Sequence, residues 1–507
     1  MKSLLTLFLL FCAVFTNAQN PIAISYADKL DSANLRVSLK VLTSTAMNGR
    51  KSSEAGGQMA ADYLIEQLTQ YGVEPAFQRS YKQSIQAYQK TSANKYFYLP
   101  SFNYAQSYSY DNASQHDSVI MADSIVFAGY GVHDATYNDF SGVDIQGKVV
   151  MVLEGEGPRN KFGVKCHTSG SAPDMDYIRS QRPAALFLVR KDFNNFGNYS
   201  YNRVHFSSAT NQEMIPVVKI NELLANSLLA PARKSVKQLQ YEMEQNCRPA
   251  SFEFAIPVHF NGNNAYKLAD IDNIVAVVEG SDLKDECVVL MAHYDHIGKT
   301  YGGEVYPGAD DNASGVSAVL EVARLLNAAK KAGKGPRRSV VMLFTTAEED
   351  GLHGSDYYVK HPVFPLDKTV AAINLDMVGR NGSQVAEESI AKGYIYALTH
   401  TRDYTDTLVS IPDSINRMTT NLHLLKDEGS SYNNFFSRSD HYNFFRKGIP
   451  SIFFTNGSHE DLHKTTDVAA KIEMDAMQQR TKLVFLTVWE LATNISPFKP
   501  LITDVSE

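Results

Sequence analysis

The sequence is poor in cysteine, tryptophan and net positive charge. Its 507 residues include four Cys and one Trp, and 55 Asp and Glu outnumber 48 Lys and Arg, which gives a formal net charge of −7. Without a basic excess the chain has no electrostatic footprint for nucleic acid, so we expect no nucleic-acid partner. Beyond the N-terminus, no stretch approaches the roughly 20 consecutive apolar residues of a membrane-spanning helix, so we expect no transmembrane segment.

The N-terminal stretch MKSLLTLFLLFCAVFTNAQN is the apolar exception, because one Lys precedes a hydrophobic run that ends in Thr-Asn-Ala. This arrangement is typical of a secretory signal peptide over residues 1–18, with cleavage after Ala18. We therefore expect an exported protein, periplasmic or extracellular after removal of the signal peptide. The sequence sets no oligomeric state.

The signal peptide contains Cys12, so the mature chain keeps Cys166, Cys247 and Cys287, with no paired CxxC spacing. Three cysteines allow one disulfide at most, and Cys166 with Cys247 is one open pairing, with Cys287 buried in a strand. We do not expect cysteine to ligate a metal in this protein.

The chain is too long to fold around one hydrophobic core of ordinary size, so we predict two domains. Apolar residues recur at helical spacing up to about residue 76, and short apolar strands separated by Gly, Asn and Asp follow from residue 121. From about residue 263, predicted strands alternate with predicted helices, and this part of the chain carries the motifs described below. We divide the chain into a signal peptide (1–18), the first part of the motif-bearing domain (19–120), a β-rich insert (121–262), the main part of the motif-bearing domain (263–497) and a C-terminal tail (498–507).

The motif-bearing domain alternates apolar, β-branched runs with helical patterns. The runs from Cys287 to Ala292, from Ser339 to Phe344 and from Thr369 to Leu375 are typical of buried strands in a mainly parallel sheet. Helical patterns follow, and the last extends from Lys471 to Asn494. We predict an α/β fold, a three-layer α/β/α sandwich with a mixed, mainly parallel sheet, plus the smaller β-rich insert.

Histidine and acidic residues follow the ends of these predicted strands. His293 and Asp295 follow the first strand, Glu348 and Glu349 the second, and Asp376 the third. In open α/β sheets, ligands gather just outside the carboxyl ends of the strands, so these side chains can meet at one edge. The sequence therefore predicts a metal site at this edge of the sheet.

Two further motifs, PGADDNASG and HKTTD, contribute to the predicted site. Asp310 and Asp311 lie between a glycine-containing loop and the start of a helix, where a single Asp would be enough to cap the helix. One of the two carboxylates could bridge two cations, and His463 would complete the set. Glu348 and Glu349 are adjacent carboxylates that repel each other without a cation or shared proton, so one is expected to bind metal while the other acts as a base.

The types of ligand indicate the metal. Histidine and carboxylate without thiolate fit zinc, cobalt or manganese in a hydrolytic site. Two histidines and three carboxylates are too many for one catalytic ion and fit two ions about 3.5–4 Å apart. Such ions lower the pKa of a shared water, Glu348 takes its proton and later protonates a leaving amine, and the ions stabilise the oxyanion. This chemistry is amide-bond hydrolysis.

The segments HYDHIG, GADDNASG, TTAEEDGLHGS, INLDMVGR, SDHYNF with GIPSIFF, and HKTTD resemble those of the di-zinc aminopeptidase family, peptidase family M28. They cover about residues 270–495 in the order that the family has. This family includes secreted bacterial leucyl aminopeptidases, aminopeptidase Y and glutamate carboxypeptidase II. The insert, with VFAGYGV and GKVVMVLEG, resembles the protease-associated domain that many members carry.

The resemblance implies two Zn²⁺ per chain and a role for each site residue. One zinc is expected on His293 and Asp376, the other on Glu349 and His463, and Asp311 is expected to bridge them. Glu348 is implied as the general base and Asp295 as the residue that orients His293. The resemblance also implies a cis peptide bond after Asp311.

Other histidines lie outside the predicted ligand set. His441 lies in the SDH segment, where we expect a substrate-side or supporting role. We expect His296, His353, His361 and His459 to be structural residues or surface residues.

The preferred function is that of an exported metallo-aminopeptidase that removes N-terminal residues from peptides. A metallo-carboxypeptidase or other amidase of the same fold is the main alternative, and it would need a basic pocket, for which Arg380 and Arg438 are candidates. A glutaminyl cyclase and a non-enzymatic binding homologue are further alternatives. The complete TTAEEDG segment and the intact ligand set weigh against both.

Overall fold

The computed structural model describes residues 20–97, 108–111, 118–168, 172–190, 204–206, 215–300, 303–383, 385–399, 405–426 and 433–493. The predicted signal peptide and C-terminal tail lie outside these residues. The chain forms two compact units. Of the described residues, the first unit comprises those up to Ile85, those of Asp272–Gly298 and those from Val305 onward, and the second comprises those of Gln86–Ile271 and Lys299–Glu304.

The described helices are, in chain order, α1 (Pro21–Ala27), α2 (Ser32–Leu42), α3 (Ala55–Tyr71), α4 (Met175–Ser180), α5 (Glu222–Leu229), α6 (Val236–Asn246), α7 (Gly315–Lys331), α8 (His353–Lys360), α9 (Glu387–Lys392), α10 (Thr405–Met418), α11 (Asn433–Phe436), α12 (His441–Phe445) and α13 (Met474–Thr493). The described strands are β1 (Glu74–Pro75), β2 (Lys82–Phe97), β3 (Tyr108–Asp111), β4 (Ser118–Phe127), β5 (Val149–Leu153), β6 (Ala185–Arg190), β7 (Val204–Phe206), β8 (Val217–Asn221), β9 (Phe252–Val278), β10 (Leu283–His293), β11 (Arg338–Thr345), β12 (Thr369–Leu375), β13 (Tyr394–Leu398), β14 (His423–Leu425) and β15 (Ser451–Thr455).

The sheet of the first unit has the strand order β14-β13-β15-β12-β10-β11, followed by the C-terminal part of β9. Strands β15, β12, β10 and β11 run parallel, while β9 and β13 pair antiparallel with β11 and β15. Every residue of β11 and β12 is buried, which is the pattern of strands covered on both faces. The predicted mixed, mainly parallel sheet is confirmed.

Helices cover both faces of this sheet. Because side chains alternate along a strand, Val288 and Leu290 of β10 pack with α1, α2, α3, α7 and α13, while Val289 and Met291 pack on the other face with α8 and α12. Trp489 of α13 is buried in the first of these layers. The predicted three-layer α/β/α sandwich is therefore confirmed.

In the second unit, the strand order is β9-β4-β5-β6-β8-β3, and β4 pairs with the N-terminal part of β9. Helices α5 and α6 pack on one face of this sheet and α4 packs on the other. A disulfide joins Cys166 to Cys247 within this unit, and Cys287 is a buried free thiol in β10. The cysteine pairing considered from the sequence is therefore present.

The second unit extends from residue 86 to residue 271, beyond the 121–262 range predicted for the insert. Strand β9 crosses the predicted boundary at residue 262, and β2 crosses the division between residues 85 and 86. The protease-associated character of this unit stays a prediction. None of the described helices is both long enough and apolar enough to cross a membrane.

Candidate metal centre

Three of the five predicted metal ligands, His293, Glu349 and Asp376, lie at or just beyond the ends of three adjacent parallel strands. His293 is the last residue of β10, Asp376 directly follows β12, and Glu348 and Glu349 lie just beyond β11. Asp311 belongs to the turn Ala309–Ser314 that leads into α7. Because the carboxyl ends of parallel neighbours share one edge of the sheet, side chains that are distant in sequence meet there.

A first group of donor atoms surrounds His293. Its Nε2 lies 3.3 Å from Asp376 Oδ1 and 3.2 Å from Asp311 Oδ1. Two ligand atoms of a tetrahedral zinc ion with bonds of about 2.0–2.1 Å lie about 3.3 Å apart. The Oε2 atom of Glu348 is farther from the same nitrogen, at 4.0 Å. The first three side chains therefore have the spacing of ligands, with Glu348 just outside that spacing.

A second group shares Asp311 with the first. The Nε2 atom of His463 lies 3.0 Å from Asp311 Oδ2 and 3.1 Å from Glu349 Oε2. The two oxygens of Asp311 thus face different histidines. This is the arrangement expected of a carboxylate that bridges two ions.

The donors at this edge fit zinc. The side chains of Asp311, Glu348, Glu349 and Asp376 are at most 12% exposed. Within the described part of the chain, no Lys or Arg forms an ion pair with these four carboxylates. Buried carboxylates need a partner of opposite charge, and here histidine ring nitrogens face them, which completes a nitrogen and oxygen donor set that zinc accepts.

The adjacent Glu348 and Glu349 differ in electrostatic environment. Burial raises the pKa of Glu348 well above its usual range. Burial also acts to raise the pKa of Glu349, but the charge of His463 and the hydrogen bonds to His296 and His463 together lower this pKa to about 2. For Asp311, hydrogen bonds to His293 and His463 overcome burial and hold the pKa well below its usual range. Asp311 and Glu349 are therefore kept ionised, as metal ligands must be.

Asp295 contacts both His293 and the loop that carries Glu348. Its backbone carbonyl lies 3.2 Å from His293 Nδ1, and its Oδ1 lies 3.8 Å from the same nitrogen. The carboxylate accepts the backbone N–H of Glu348 at 3.2 Å. The closer contact to the histidine ring therefore comes from the backbone of Asp295, while its side chain holds the neighbouring loop.

Asp310 has different partners from Asp311. Its Oδ1 accepts the backbone N–H of Gly379 at 2.7 Å and the hydroxyl of Ser314 at 3.1 Å. Its Oδ2 accepts from Asn456 Nδ2 at 3.0 Å and lies 3.2 Å from His459 Nε2. Asp310 therefore joins the loops around the centre, and His459 is a buried structural residue, as expected.

Arg50 is a supporting residue that sequence reasoning missed. Its guanidinium is fully buried and donates to the backbone carbonyls of Leu42, Tyr294, Pro307 and Gly308 at 2.6–3.0 Å. These hydrogen bonds tie the N-terminal helices to the loops that carry His293 and Asp311. No motif around Arg50 signals this role.

His296 was expected to be structural or at the surface, and the structure places it in the centre instead. Its ring is 1% exposed, and its Nδ1 lies 2.7 Å from Glu349 Oε1 and 3.8 Å from Asp311 Oδ2. It also meets the ring of His463 edge-on. Its position directly after the HYD motif was the available signal. His441 is buried, with Nδ1 3.4 Å from Asn374 Nδ2, which is a supporting position.

Unusual backbone conformations occur next to the site residues. Ala347, Met377 and His463 have positive φ angles of 53°, 63° and 55°, which non-glycine residues rarely adopt. Such conformations cluster at functional sites. The peptide bond between Asp311 and Asn312 is cis, as the family resemblance implied.

Comparison with known proteins agrees with this architecture. Among curated proteins, aminopeptidase YwaD of Bacillus subtilis (strain 168) is 29% identical over 226 residues, 43% of this chain and 44% of that protein. The probable glutamate carboxypeptidase AMP1 of Arabidopsis thaliana is 35% identical over 111 residues, 22% of this chain and 15% of that protein. The chain thus spans less than half the length of these curated relatives.

Solved structures share the fold over nearly the whole chain. An aminopeptidase from Aneurinibacillus sp. strain AM-1 matches with a TM-score of 0.59 and 17% identity, covering 95% of this chain and 98% of its own. BSAP, a zinc aminopeptidase from Bacillus subtilis, matches with a TM-score of 0.54 and 18% identity, covering 93% and 98%. Residues 273–488 match the sequence model of peptidase family M28. Over residues 273–488, the chain is therefore similar to members of peptidase family M28.

Proposed function

We propose that this protein is an exported zinc aminopeptidase that hydrolyses the N-terminal peptide bond of peptides and holds two Zn²⁺ per chain. The observation that carries the proposal is the position of Asp311, whose Oδ1 faces His293 and whose Oδ2 faces His463. The names of relatives and structural neighbours with the same fold, aminopeptidases among them, support the same activity.

The side chains divide between two metal positions. His293 and Asp376 would hold one zinc, Glu349 and His463 would hold the other, and Asp311 would contact both. When bound, the two ions polarise a substrate carbonyl and lower the pKa of a water molecule.

Glu348 would act as the general base. Its carboxylate lies beside the first group of donors at a distance of 4.0 Å from His293 Nε2, beyond ligand spacing but close enough to reach a water at the centre. It would accept a proton from this water and return it to the leaving amine. Asp295 supports both groups, since it contacts His293 and accepts the backbone N–H of Glu348.

The main alternative is a carboxypeptidase of the same fold. Such an enzyme needs a cation for the terminal carboxylate of its substrate, for which Arg380 and Arg438 are the candidates. Arg380 is paired with Asp461 at 2.6 Å, and Arg438 lies over the ring of Phe435. A glutaminyl cyclase would use a single zinc, whereas a second set of donors surrounds Asp311 here.

Export rests on the N-terminal sequence and is supported by the Cys166–Cys247 disulfide, which is typical of oxidising compartments. The mature protein recovered outside the cytoplasm should begin at Gln19. Mass spectrometry of its N-terminal peptide would test this, and an intact Met1 on secreted protein would contradict cleavage after Ala18.

The activity is tested with matched peptides, one with a free and one with an acetylated N-terminus. We expect zinc-dependent cleavage of the free peptide and none of the acetylated one. Equal cleavage of both would favour a carboxypeptidase or other amidase. Cyclisation of a peptide with N-terminal Gln, without cleavage, would favour the cyclase.

A further inference from the structure

The two oxygens of Glu349 have different partners. Oε2 lies 3.1 Å from His463 Nε2, on the side of the second donor group. Oε1 lies 2.7 Å from His296 Nδ1. The ring of His296 is 1% exposed, and its Nε2 is buried with no hydrogen-bond partner among the described residues. Among the described residues, the His296 ring therefore has its close polar contact at Nδ1, and the partner is Glu349.

The 2.7 Å distance from His296 Nδ1 to Glu349 Oε1 indicates a hydrogen bond rather than two ligands on one zinc ion. Two ligands of one tetrahedral zinc would lie about 3.3 Å apart, whereas a hydrogen bond between a ring N–H and a carboxylate is about 2.7–2.9 Å long. A carboxylate ligand carries no proton, so His296 Nδ1–H must donate to Glu349 Oε1. At 2.7 Å, His296 therefore has the distance of a hydrogen-bond donor to Glu349 rather than of a second ligand to the same ion.

The first donor group has the same arrangement. Ser439 donates its hydroxyl to Asp376 Oδ2 at 2.7 Å, and Asn374 in turn donates to the hydroxyl oxygen of Ser439 at 2.7 Å. The other oxygen of Asp376 then faces His293 Nε2 at 3.3 Å. In both groups one oxygen of the terminal carboxylate is held by a side-chain donor and the other faces a histidine ligand.

Close packing holds His296 in place. Gly308 lies against its ring, and a Cβ added at Gly308 would come within 2.5 Å of His296 Cδ2. Gly308 also has a φ of 53°, a conformation that favours glycine. The turn that carries Asp311 thus leaves room for the imidazole at this place.

We propose that His296 is a positioning residue, which holds Oε1 of Glu349 so that Oε2 alone faces the second zinc and thereby sets the affinity for that ion. The proposal rests on the proposed two-zinc function. Hydrogen-bond partners of metal ligands fix the ligand orientation, and their loss typically weakens metal binding by about 10–100-fold.

The test uses three forms of the mature full-length protein: wild type, His296→Asn and His296→Gln. An Asn amide can occupy the position of imidazole Nδ1, whereas a Gln amide matches Nε2 and cannot donate to Glu349 from the same place. The two zinc dissociation constants are measured by competition with a chromogenic chelator after zinc has been removed. We expect His296→Gln to raise one constant by about 10–100-fold and His296→Asn to keep it within about threefold of wild type.

To identify which zinc ion depends on His296, the same substitution is made in a His463→Ala variant, which should hold a single zinc. There His296→Gln should leave the remaining constant unchanged, and a rise would overturn the proposal. Unaltered constants for His296→Gln in the otherwise wild-type protein would overturn it as well, as would equal weakening by Asn and Gln. Circular dichroism and thermal unfolding of the zinc-free forms show whether each variant folds.

The wild-type protein separates failure of this inference from failure of the proposed function. Fewer than two zinc ions in the wild type would refute the two-zinc function, whatever the variants do. Two ions in the wild type together with normal zinc binding by His296→Gln would refute the role of His296 alone.

Discussion

The carboxylates of Asp310 and Asp311, neighbours in the chain, serve different purposes. Asp310 accepts hydrogen bonds from the backbone of Gly379 and from Asn456, while Asp311 directs each oxygen to a different histidine. Asp310 therefore holds loops together, and Asp311 lies between the two donor groups of the candidate metal centre. Paired substitutions at these adjacent positions can separate structural loss from loss of metal.

Asp311→Ala should reduce bound zinc below two ions per chain, because the carboxylate that both donor groups share is removed. Zinc content after dialysis, measured by inductively coupled plasma mass spectrometry, checks this. Asp310→Asn is the matched control. It should keep two ions while losing about 1–3 kcal/mol of unfolding free energy, since an amide cannot satisfy all the donors that face Asp310. Full zinc content in Asp311→Ala would refute the bridging role.

Glu348→Gln should keep the fold and both zinc ions but lower kcat by about 10²–10⁴-fold, because the group that accepts the proton is removed. Steady-state hydrolysis of a free-N-terminus peptide gives kcat, and zinc content is determined on the same sample. Glu349→Gln is the control next in sequence and should lose zinc instead. Near-normal turnover by Glu348→Gln would exclude Glu348 as the base.

Arg50→Met should destabilise the first unit by about 3–5 kcal/mol, because four backbone carbonyls lose their charged donor in a buried place. Arg36 is an exposed arginine in α2, and Arg36→Met should change stability by less than about 0.5 kcal/mol. Chemical denaturation of the zinc-free proteins compares the two variants. Similar stabilities for both would show that the Arg50 hydrogen bonds contribute little.

Loss of the disulfide should weaken the second unit. Cys166 and Cys247 are 81 residues apart, and a cross-link over so long a loop is worth about 3–5 kcal/mol. The double variant Cys166→Ser/Cys247→Ser should therefore unfold this unit at lower denaturant concentration. Limited proteolysis, with peptides mapped to residues 86–271, provides the measurement. Addition of a reductant should shift the wild type toward the variant and leave the variant unchanged, and equal resistance without reductant would contradict the prediction.

The strand ends and the carboxylates that follow them were predictable from the sequence. Apolar, β-branched runs mark β10, β11 and β12, and parallel strands bring the residues after them to one edge. Asp311 could be chosen over Asp310 through the family pattern. Residues whose role depends on distant backbone or on ring orientation were not predictable.

Arg50 and His296 illustrate that limit. Arg50 donates to carbonyls more than 240 residues away, and nothing near it in the sequence indicates that approach. His296 lies beside a recognised motif, but its contact with Glu349 depends on how the loop after β10 folds back toward the loop after β11. Tertiary structure, rather than local pattern, determines both positions.

Two zinc ions that share Asp311 are the central feature of the proposed function. Anomalous diffraction from crystals of the mature protein, recorded above and below the zinc absorption edge, locates zinc directly. We predict two peaks about 3.5–4 Å apart, one next to His293 and Asp376 and one next to Glu349 and His463, with Asp311 between them. A single peak, or two peaks that do not share Asp311, would contradict the account.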